Sequence, residues 1–248
     1  MSQVAVITGS GRGLGRALAE RFAAAKARVA VSYHTSAQGA EETAEAVRQR
    51  GGEAFVQQCD VREYAQVQAL VQAAVDHWGR IDVFVNNAGE AVAPWRDRNL
   101  KLRVHEISEE EWDLVIDSNL GGNMHGIRAV APVMMKQREG HIINVSSGSA
   151  LRGRLGFSHY AAAKLAILGL TKTAAQELGQ YNIRVNAVCP GLIMNEKHAQ
   201  VALVADHLKE TTLGRLGKAG DFAEAVYQLA QWPNVSGQTF IFESRILR

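Results

Sequence analysis

The sequence contains few cysteines and no clustered metal-ligand residues. Only Cys59 and Cys189 are present, and they lie far apart along the chain. This excludes a disulfide framework and a Cys-x-x-Cys metal or redox site, and it favours a protein of the reducing cytoplasm. The eight histidines are dispersed without a ligand pattern, so the sequence predicts no metal site.

Long apolar runs and an excess of charge of one sign are also missing. No segment approaches the roughly 18 apolar residues that a helix needs to cross a bilayer, and the N-terminus lacks the basic start and cleavage site typical of a signal peptide. The 27 Lys and Arg residues against 25 Asp and Glu give a net charge of +2, and the basic residues are scattered. We therefore expect neither a membrane nor a nucleic acid as a partner.

The chain has no low-complexity tract, internal repeat or Pro/Gly/Ser-rich linker. Its 47% hydrophobic and 21% charged residues are ordinary for a globular protein. Because α/β folds of about 200–250 residues often form one unit, we expect residues 1–248 to be a single domain.

Short runs rich in Val and Ile alternate with longer stretches of helical period, which is typical of repeated β-α units. Candidate strands are residues 3–7, 28–32, 53–58, 81–86, 141–146, 183–188 and 238–242. Candidate helices lie near 14–26, 37–50, 63–78, 108–136, 158–180 and 221–231. The nearly continuous apolar strands indicate burial on both faces. The predicted fold is therefore α/β, a single Rossmann-type, doubly wound parallel sheet of about seven strands with helices on both faces.

Two segments, 90–107 and 192–220, interrupt this alternation. Both leave the carboxyl ends of predicted strands, where ligands bind in an open parallel sheet, so we expect them to border a substrate pocket. The first contains Trp95 and several arginines. An elaborated surface loop with solvated charges is the alternative interpretation of that segment.

A glycine-rich loop follows the first strand and opens the first helix. It reads Thr8-Gly9-Ser10-Gly11-Arg12-Gly13-Leu14-Gly15. Glycines at this spacing let the backbone approach a pyrophosphate, and the helix N-terminus supplies free N–H groups. A flexible β-α turn is the alternative, and a P-loop is excluded because no Gly-Lys-Ser/Thr follows.

If the glycine loop binds a nicotinamide dinucleotide, the end of the second strand indicates which one. An NAD-selective site places Asp or Glu there to meet the ribose hydroxyls and repel a 2′-phosphate. This chain has Ser32, Tyr33, His34, Thr35 and Ser36 instead. Arg12 in the glycine loop could reach the same phosphate with its guanidinium group. A preference for NADP(H) over NAD(H) is therefore predicted, with a solvated loop cation as the alternative role of Arg12.

Three further residues point to proton transfer. Tyr160 and Lys164 lie four apart in a helical pattern, so they share one face of the helix. Ser147 follows a predicted strand thirteen residues earlier. A nearby ammonium favours the ionised phenol and would lower the pKa of Tyr160 towards neutral pH. A surface Tyr-Lys pair beside an ordinary serine is the alternative.

With Asn86-Asn-Ala-Gly89, Asn119 and Pro190-Gly191, these motifs make the sequence resemble the short-chain dehydrogenases/reductases from about residue 3 to about residue 240. The closest branch is that of the 3-oxoacyl-[acyl-carrier-protein] reductases. This resemblance rests on three sequence segments: Tyr160-Ala-Ala-Ala-Lys164, Arg184-Val-Asn-Ala-Val-Cys-Pro-Gly191 and Leu213-Gly-Arg-Leu-Gly217.

The resemblance implies a role for each catalytic candidate. Tyr160 would be the general acid in reduction and the base in oxidation, and Ser147 would hold the carbonyl oxygen. Lys164 would bind the nicotinamide ribose and lower the pKa of Tyr160. Asn119 would position a water that relays protons to solvent, although a satisfied structural amide is the alternative reading of this residue.

The resemblance also implies cofactor contacts outside the glycine loop. Those around the adenine and its ribose are Asp60, Val61, Asn87, Ala88 and Gly89. Those around the nicotinamide are Pro190, Gly191 and Ile193. Asp60 could equally cap a helix before Arg62.

The sequence departs from the family pattern in two places. Asn195 stands where the family commonly has a Thr that bonds the nicotinamide carboxamide, and the chain end lacks the usual Gly-Gly after the last strand.

We expect an NADPH-dependent oxidoreductase acting on a 3-oxoacyl thioester carried by acyl-carrier protein or CoA. Another ketone, a sugar or a cyclic alcohol is the alternative substrate, and a non-catalytic cofactor sensor is the alternative from another class. The resemblance further implies a homodimer or homotetramer formed through helices 108–136 and 158–180, although packing on the sheet would also explain their patterns.

Overall fold

The computed structural model describes residues 2–90, 103–194 and 208–246. The strands are β1 (Val4–Ile7), β2 (Arg28–Tyr33), β3 (Glu53–Gln58), β4 (Val83–Asn86), β5 (Gly140–Val145), β6 (Ile183–Pro190), β7 (Ile193–Met194), β8 (Gly217–Lys218) and β9 (Thr239–Phe242). Seven of them form one parallel sheet in the order β3-β2-β1-β4-β5-β6-β9. The strands β2 and β3 follow β1 towards one edge of the sheet, whereas β4, β5, β6 and β9 follow on the other side of β1. This change of direction at β1 and β4 confirms the predicted doubly wound fold.

Helices connect the strands. They are α1 (Gly13–Ala24), α2 (Ala37–Gln49), α3 (Tyr64–Trp78), α4 (Glu109–Ile116), α5 (Gly122–Gln137), α6 (Ser149–Arg152), α7 (Ser158–Leu178) and α8 (Ala219–Gln231). Two short 3₁₀ turns are Val104–Glu106 and Gly179–Tyr181. None of the described helices is long and apolar enough to cross a membrane.

The core lies in two layers, one on each face of the sheet. Alternate residues of a strand point to opposite faces, so in β1 Ile7 contributes to the layer under α1, α2 and α8, and Val6 to the layer under α3, α5 and α7. Phe22 and Phe84 are fully buried, one in each layer. Burial of such a side chain contributes about 1.5–3 kcal/mol, and covering both faces explains why the strands are almost continuously apolar.

The structure differs from the sequence prediction at helix 108–136. A π-helical turn, Asp117–Gly121, separates α4 from α5. The apolar periodicity runs through both helices, which is why the sequence pattern alone did not show the interruption.

The two irregular segments are only partly described. Residues 91–102, which include Trp95, and residues 195–207, which include Asn195, lie outside the described residues. Within 192–220, β7 pairs with β8 in a small parallel sheet, with Ile193 opposite Gly217. The sequence did not predict this second sheet because two-residue strands carry no detectable period.

Candidate active site

The glycine loop is fixed to the end of β4 by Thr8 and Asn87. The Thr8 hydroxyl accepts hydrogen bonds of 3.0 Å from the backbone N–H groups of Asn87 and Ala88. The Asn87 amide in turn donates to the Thr8 carbonyl at 2.9 Å and to the Gly9 carbonyl at 3.2 Å. Gly9 has a φ of 63°, a left-handed conformation that favours glycine. The predicted cofactor residues of β1 and β4 are therefore held side by side at the carboxyl edge of the sheet.

The hydroxyl groups of Ser10 and Ser32 form hydrogen bonds with backbone groups of the glycine loop and of strands β1 and β2. Ser10 donates to the Ile7 carbonyl at 2.8 Å and accepts from the Ser32 backbone N–H at 3.0 Å. Ser32 accepts from the Gly9 N–H at 3.1 Å. Both side chains are fully buried. The expectation that the Ser32 side chain faces a phosphate is therefore wrong, and Ser10 can offer only its backbone to a ligand.

The N-terminus of α1 fits a dinucleotide pyrophosphate. Arg12 precedes the helix without a side-chain capping bond, and the first turn has no acidic residue. Gly13 has a φ of 57° and no heavy atom within 4 Å of the position where a Cβ would sit. Leu14 and Gly15 continue the first turn, and Gly15 packs tightly against the Gly9 carbonyl. Uncapped N–H groups, the positive end of the helix dipole and open space above Gly13 together suit a phosphate group.

The loop after β2 lies beside the glycine loop and carries no carboxylate. A Cβ on Gly11 would sit 3.2 Å from the Ser36 carbonyl. His34 and Thr35 are exposed, whereas Tyr33 and Ser36 are half-buried. Arg12 is exposed on the neighbouring loop. The surface around this loop thus offers polar and cationic groups to a ligand.

Asp60 is held by Arg62. The Asp60 carboxylate accepts from the Arg62 backbone N–H at 3.0 Å and from its guanidinium group, and the His34 ring lies 3.4 Å away. These interactions, led by the side-chain hydrogen bond from Arg62, keep the pKa of Asp60 below its ordinary value. The capping position of α3 belongs to Glu63, so Asp60 closes a turn rather than capping the helix. Val61 beside it is buried.

Ser147, Tyr160 and Lys164 meet where β5 ends. Lys164 donates to the Val145 carbonyl at 2.9 Å, and Ser146 donates to the Lys164 carbonyl at 2.6 Å. The ammonium lies 5.6 Å from the centre of the Tyr160 ring, and Tyr160 forms a hydrogen bond with Ser147. All three predicted side chains are therefore brought together and buried.

The proximity of Lys164 does not give Tyr160 the low pKa expected from the sequence. Burial raises the pKa of Tyr160 to about 12, and the hydrogen bond with Ser147 only partly opposes this shift. Burial also lowers the pKa of Lys164 to about 8. The ammonium is directed to the Val145 carbonyl, and the loss of water from around the phenol outweighs its attraction. The protein by itself thus holds Tyr160 in its protonated form.

Asn119 lies in the π-helical turn. Its amide N–H group donates to the Val115 carbonyl at 2.9 Å and to the Glu90 carbonyl at 3.2 Å. Its Oδ1 atom is buried and has no partner among the described residues. A Cβ on Gly89 would collide with this Oδ1 and lie 3.5 Å from the Lys164 ammonium. The turn therefore brings to Lys164 an acceptor that has no partner among the described residues, and the sequence gave no sign of this irregular turn.

The predicted nicotinamide residues lie at the end of β6. The Gly191 N–H donates to the Phe242 carbonyl at 2.9 Å, and the Gly148 N–H donates to the Pro190 carbonyl at 3.1 Å. Ile193 begins β7. The chain end after β9 thus lies against both the Ser147 loop and the Pro190 turn.

Two residues of that chain end approach the site, and sequence reasoning missed both. The Glu243 carboxylate packs so closely on Gly191 and Gly148 that a Cβ at either position would meet it. Arg245 is buried and paired with Glu243. The available signal was the absence of Gly-Gly after the last strand. Charged residues stand there instead, and a charged side chain that becomes buried needs a partner of opposite charge.

Comparisons with known proteins agree with this geometry. Residues 3–203 match the family described as short chain dehydrogenase. The 3-oxoacyl-[acyl-carrier-protein] reductase FabG of Staphylococcus aureus is 39% identical over 246 residues, covering 96% of each chain. A 3-oxoacyl-[acyl-carrier-protein] reductase of a Synechocystis species is 37% identical over 242 residues, covering 96% of this chain and 94% of that one.

A solved structure gives the same result. The crystal structure of levodione reductase matches with a TM-score of 0.90 and 32% identity, covering 98% of this chain and 96% of that chain. The predicted enzyme class is confirmed together with the fold. This chain belongs to the short-chain dehydrogenase family and is an NAD(P)-dependent oxidoreductase.

Proposed function

We propose that this enzyme is an NADPH-dependent reductase of 3-oxoacyl thioesters, carried by acyl-carrier protein or CoA. The observation that carries the proposal is the buried group of Ser147, Tyr160 and Lys164 at the carboxyl edge of the sheet. The relatives named 3-oxoacyl-[acyl-carrier-protein] reductases support the substrate class.

Tyr160 is the proton donor of the proposed reaction. Its pKa of about 12 keeps the phenol protonated at neutral pH, so it can donate a hydrogen bond to a carbonyl oxygen and then its proton. Ser147 holds the same oxygen, and its hydroxyl is oriented by a bond of 3.2 Å from the Ser149 N–H. When bound, a reduced nicotinamide would supply the hydride to the carbonyl carbon, and with the proton of Tyr160 this would give a secondary alcohol.

Lys164 and Asn119 restore the proton to Tyr160. The Lys164 ammonium has N–H groups beyond the one that binds the Val145 carbonyl. These can bind a ribose hydroxyl and pass a proton towards the phenolate. The Oδ1 of Asn119 lies beside Gly89 without a partner among the described residues, so it is suited to hold the water that connects Lys164 to solvent.

The cofactor is held by residues on both sides of the β1–β4 crossover. The α1 N-terminus would hold the pyrophosphate, and Arg12 with the His34–Ser36 loop would hold the 2′-phosphate, because the loop itself carries no carboxylate that would repel it. Val61, Asn87 and Gly89 border the adenosine. Pro190, Gly191 and Ile193 would border the nicotinamide.

A reductase of a small ketone that is not a thioester is the second candidate function. The likeness to levodione reductase, with its TM-score of 0.90, favours it.

We further propose that the protein acts in the cytoplasm, where the buried thiols of Cys59 and Cys189 would stay reduced. The exposed apolar residues Met124 on α5 and Leu165 on α7 support a homodimer or homotetramer formed through these helices.

A carbonyl panel with both reduced cofactors tests the function. It should contain acetoacetyl and longer 3-oxoacyl thioesters beside small cyclic and linear ketones, with nicotinamide absorbance as the readout. Thioesters reduced with the highest kcat/KM and NADPH as cofactor are the expected result. The Tyr160→Phe variant is the control, because it removes the proton donor and should reduce turnover by at least about 10²-fold. Cofactor binding without turnover of any substrate would instead identify a sensor.

A further inference from the structure

Three arginines lie together on the substrate side of the proposed site. Arg152 ends α6, which directly follows Ser147, and Arg154 lies in the turn that joins α6 to α7. Arg245 lies in the chain end after β9. We call these three residues the arginine cluster. Because α6 and α7 carry or adjoin Ser147 and Tyr160, the cluster borders the space where a carbonyl substrate would bind.

Two members of the cluster are held by acidic residues. Arg245 pairs with Glu243 and lies 3.4 Å from Glu210. Arg152 binds the same Glu210 carboxylate at 3.2 Å. The Nε–H groups of Arg152 and Arg245 are nevertheless buried without an acceptor among the described residues. A purely structural network would satisfy such donors, because an unpaired buried N–H group destabilises the protein.

The third member, Arg154, makes no ion pair with a described residue. Its guanidinium group lies 4.8 Å from the centre of the Phe157 ring. The Phe157 ring contacts the Tyr160 ring edge to face, with centroids 6.3 Å apart. Gly153 and Gly156 bound its turn with φ values of 68° and 78°. Positive φ at both positions favours glycine, and the short loop between them places Arg154 over the Phe157 ring, one ring away from Tyr160.

Among the described residues, the charges of the cluster are unbalanced. Its three guanidinium groups have two neighbouring carboxylates, those of Glu210 and Glu243, and the ion pairs to them come from Arg152 and Arg245. Burial lowers the pKa of Arg154, and repulsion by Arg245 and Arg152 adds to this against the attraction of Glu210. Binding of an anion beside Arg154 would therefore stabilise its charged guanidinium group.

We propose that the arginine cluster binds a carboxylate of the substrate, with Arg154 as its direct partner and Arg152 and Arg245 behind it. The planar fork of a guanidinium group matches a carboxylate with two parallel hydrogen bonds. This inference deepens the proposed function and rests on it, since the substrate becomes a 3-oxoacyl thioester whose acyl chain ends in a carboxylate.

A matched pair of substrates tests the inference. Two 3-oxoacyl thioesters of equal chain length, one ending in methyl and one in carboxylate, are attached to N-acetylcysteamine, which carries no phosphate. The wild type should reduce the carboxylate-ended substrate with a kcat/KM higher by roughly tenfold to a hundredfold, as expected for a charge-assisted bond. In Arg154→Gln this ratio should fall towards one, and Arg154→Lys should be intermediate because it keeps the charge without the fork. Leu155→Ala, a change at an exposed residue of the same turn, should keep the wild-type ratio.

Binding measurements separate this inference from the proposed function. By calorimetry, glutarate should bind the NADP⁺ complex of the wild type more tightly than that of Arg154→Gln, and its neutral diamide should show no difference. If no thioester is reduced but glutarate binding depends on Arg154, the proposed function is wrong and the carboxylate site stands. If thioesters are reduced but a terminal carboxylate gives no advantage, the site assignment is wrong. An Arg154-dependent preference for the CoA form of the methyl-ended substrate would also overturn it, because the carrier phosphate would then be the anion.

Discussion

The ammonium of Lys164 donates a 2.9 Å hydrogen bond to the main-chain carbonyl of Val145, the last residue of β5. Together with the 2.6 Å bond from the Ser146 hydroxyl to the Lys164 carbonyl, it joins the helix that carries Tyr160 to the strand end that Ser147 follows. The same lysine is expected to serve both the cofactor ribose and the proton path.

Lys164→Ala should therefore lower turnover and cofactor affinity together, since one side chain performs two tasks. Steady-state kinetics would report the first, and fluorescence titration with NADPH would report the second. Lys172→Ala, an exposed lysine on the same helix, is the matched control and should change neither. Cofactor affinity that survives the loss of Lys164 would show that the ribose contact is misassigned.

Tyr160 should stay protonated in the cofactor-free protein well above neutral pH. Burial raises its pKa to about 12 from an ordinary value of 10.0. The tyrosinate absorbance of the wild type and of Tyr160→Phe should therefore coincide up to about pH 10. Oxidised cofactor brings a positive charge to the site and should lower the pKa, which would appear as a difference at lower pH. A difference near neutral pH without cofactor would contradict the burial argument.

The raised pKa of Tyr160 also makes the free energy of unfolding depend on pH. The unfolded chain releases this proton at a lower pH than the folded protein, so the contribution of Tyr160 is fully present below about pH 10 and is lost as the pH rises towards 12. Ser147→Ala removes a hydrogen bond that lowers the pKa of Tyr160, and should move the tyrosinate transition to higher pH.

Gly89→Ala should reduce turnover by at least about tenfold, because a Cβ there would displace the free Oδ1 of Asn119 from beside Lys164. Gly169→Ala is the control. Gly169 lies in α7 with open space at its Cβ position, so this change should preserve activity and raise the unfolding free energy by about 0.5–1 kcal/mol. Full activity of Gly89→Ala would remove Asn119 from the proposed proton path.

Arg12→Ala should weaken NADPH selectively. Loss of a charge-assisted bond to the 2′-phosphate costs about 1.5–3 kcal/mol, or roughly ten- to a hundredfold in affinity. NADH lacks that phosphate and should be almost unaffected. The measurement is kcat/KM for both cofactors in the wild type, in Arg12→Ala and in Arg48→Ala, an exposed arginine on α2. Equal losses for both cofactors, or a wild-type preference for NADH, would refute the assignment.

Most of the fold could be predicted from the sequence because its signals are local. Alternating runs of Val and Ile with helical stretches gave all seven strands of the main sheet to within about two residues. The glycine loop and the Tyr160–Lys164 spacing depend on neighbours in the chain, so their positions followed from the sequence as well.

Contacts between distant segments could not be predicted this way. The π-helical turn at Asn119, the use of the Ser32 hydroxyl inside the fold and the balance between burial and charge at Tyr160 all depend on which groups the fold brings together and how much water it removes. The packing of the Glu243 carboxylate on Gly191 and Gly148 is of the same kind. The sequence by itself thus determined the architecture and the candidate reacting groups, whereas the tertiary structure alone decided their protonation and their supporting contacts, because desolvation and long-range hydrogen bonds exist only once the chain is packed.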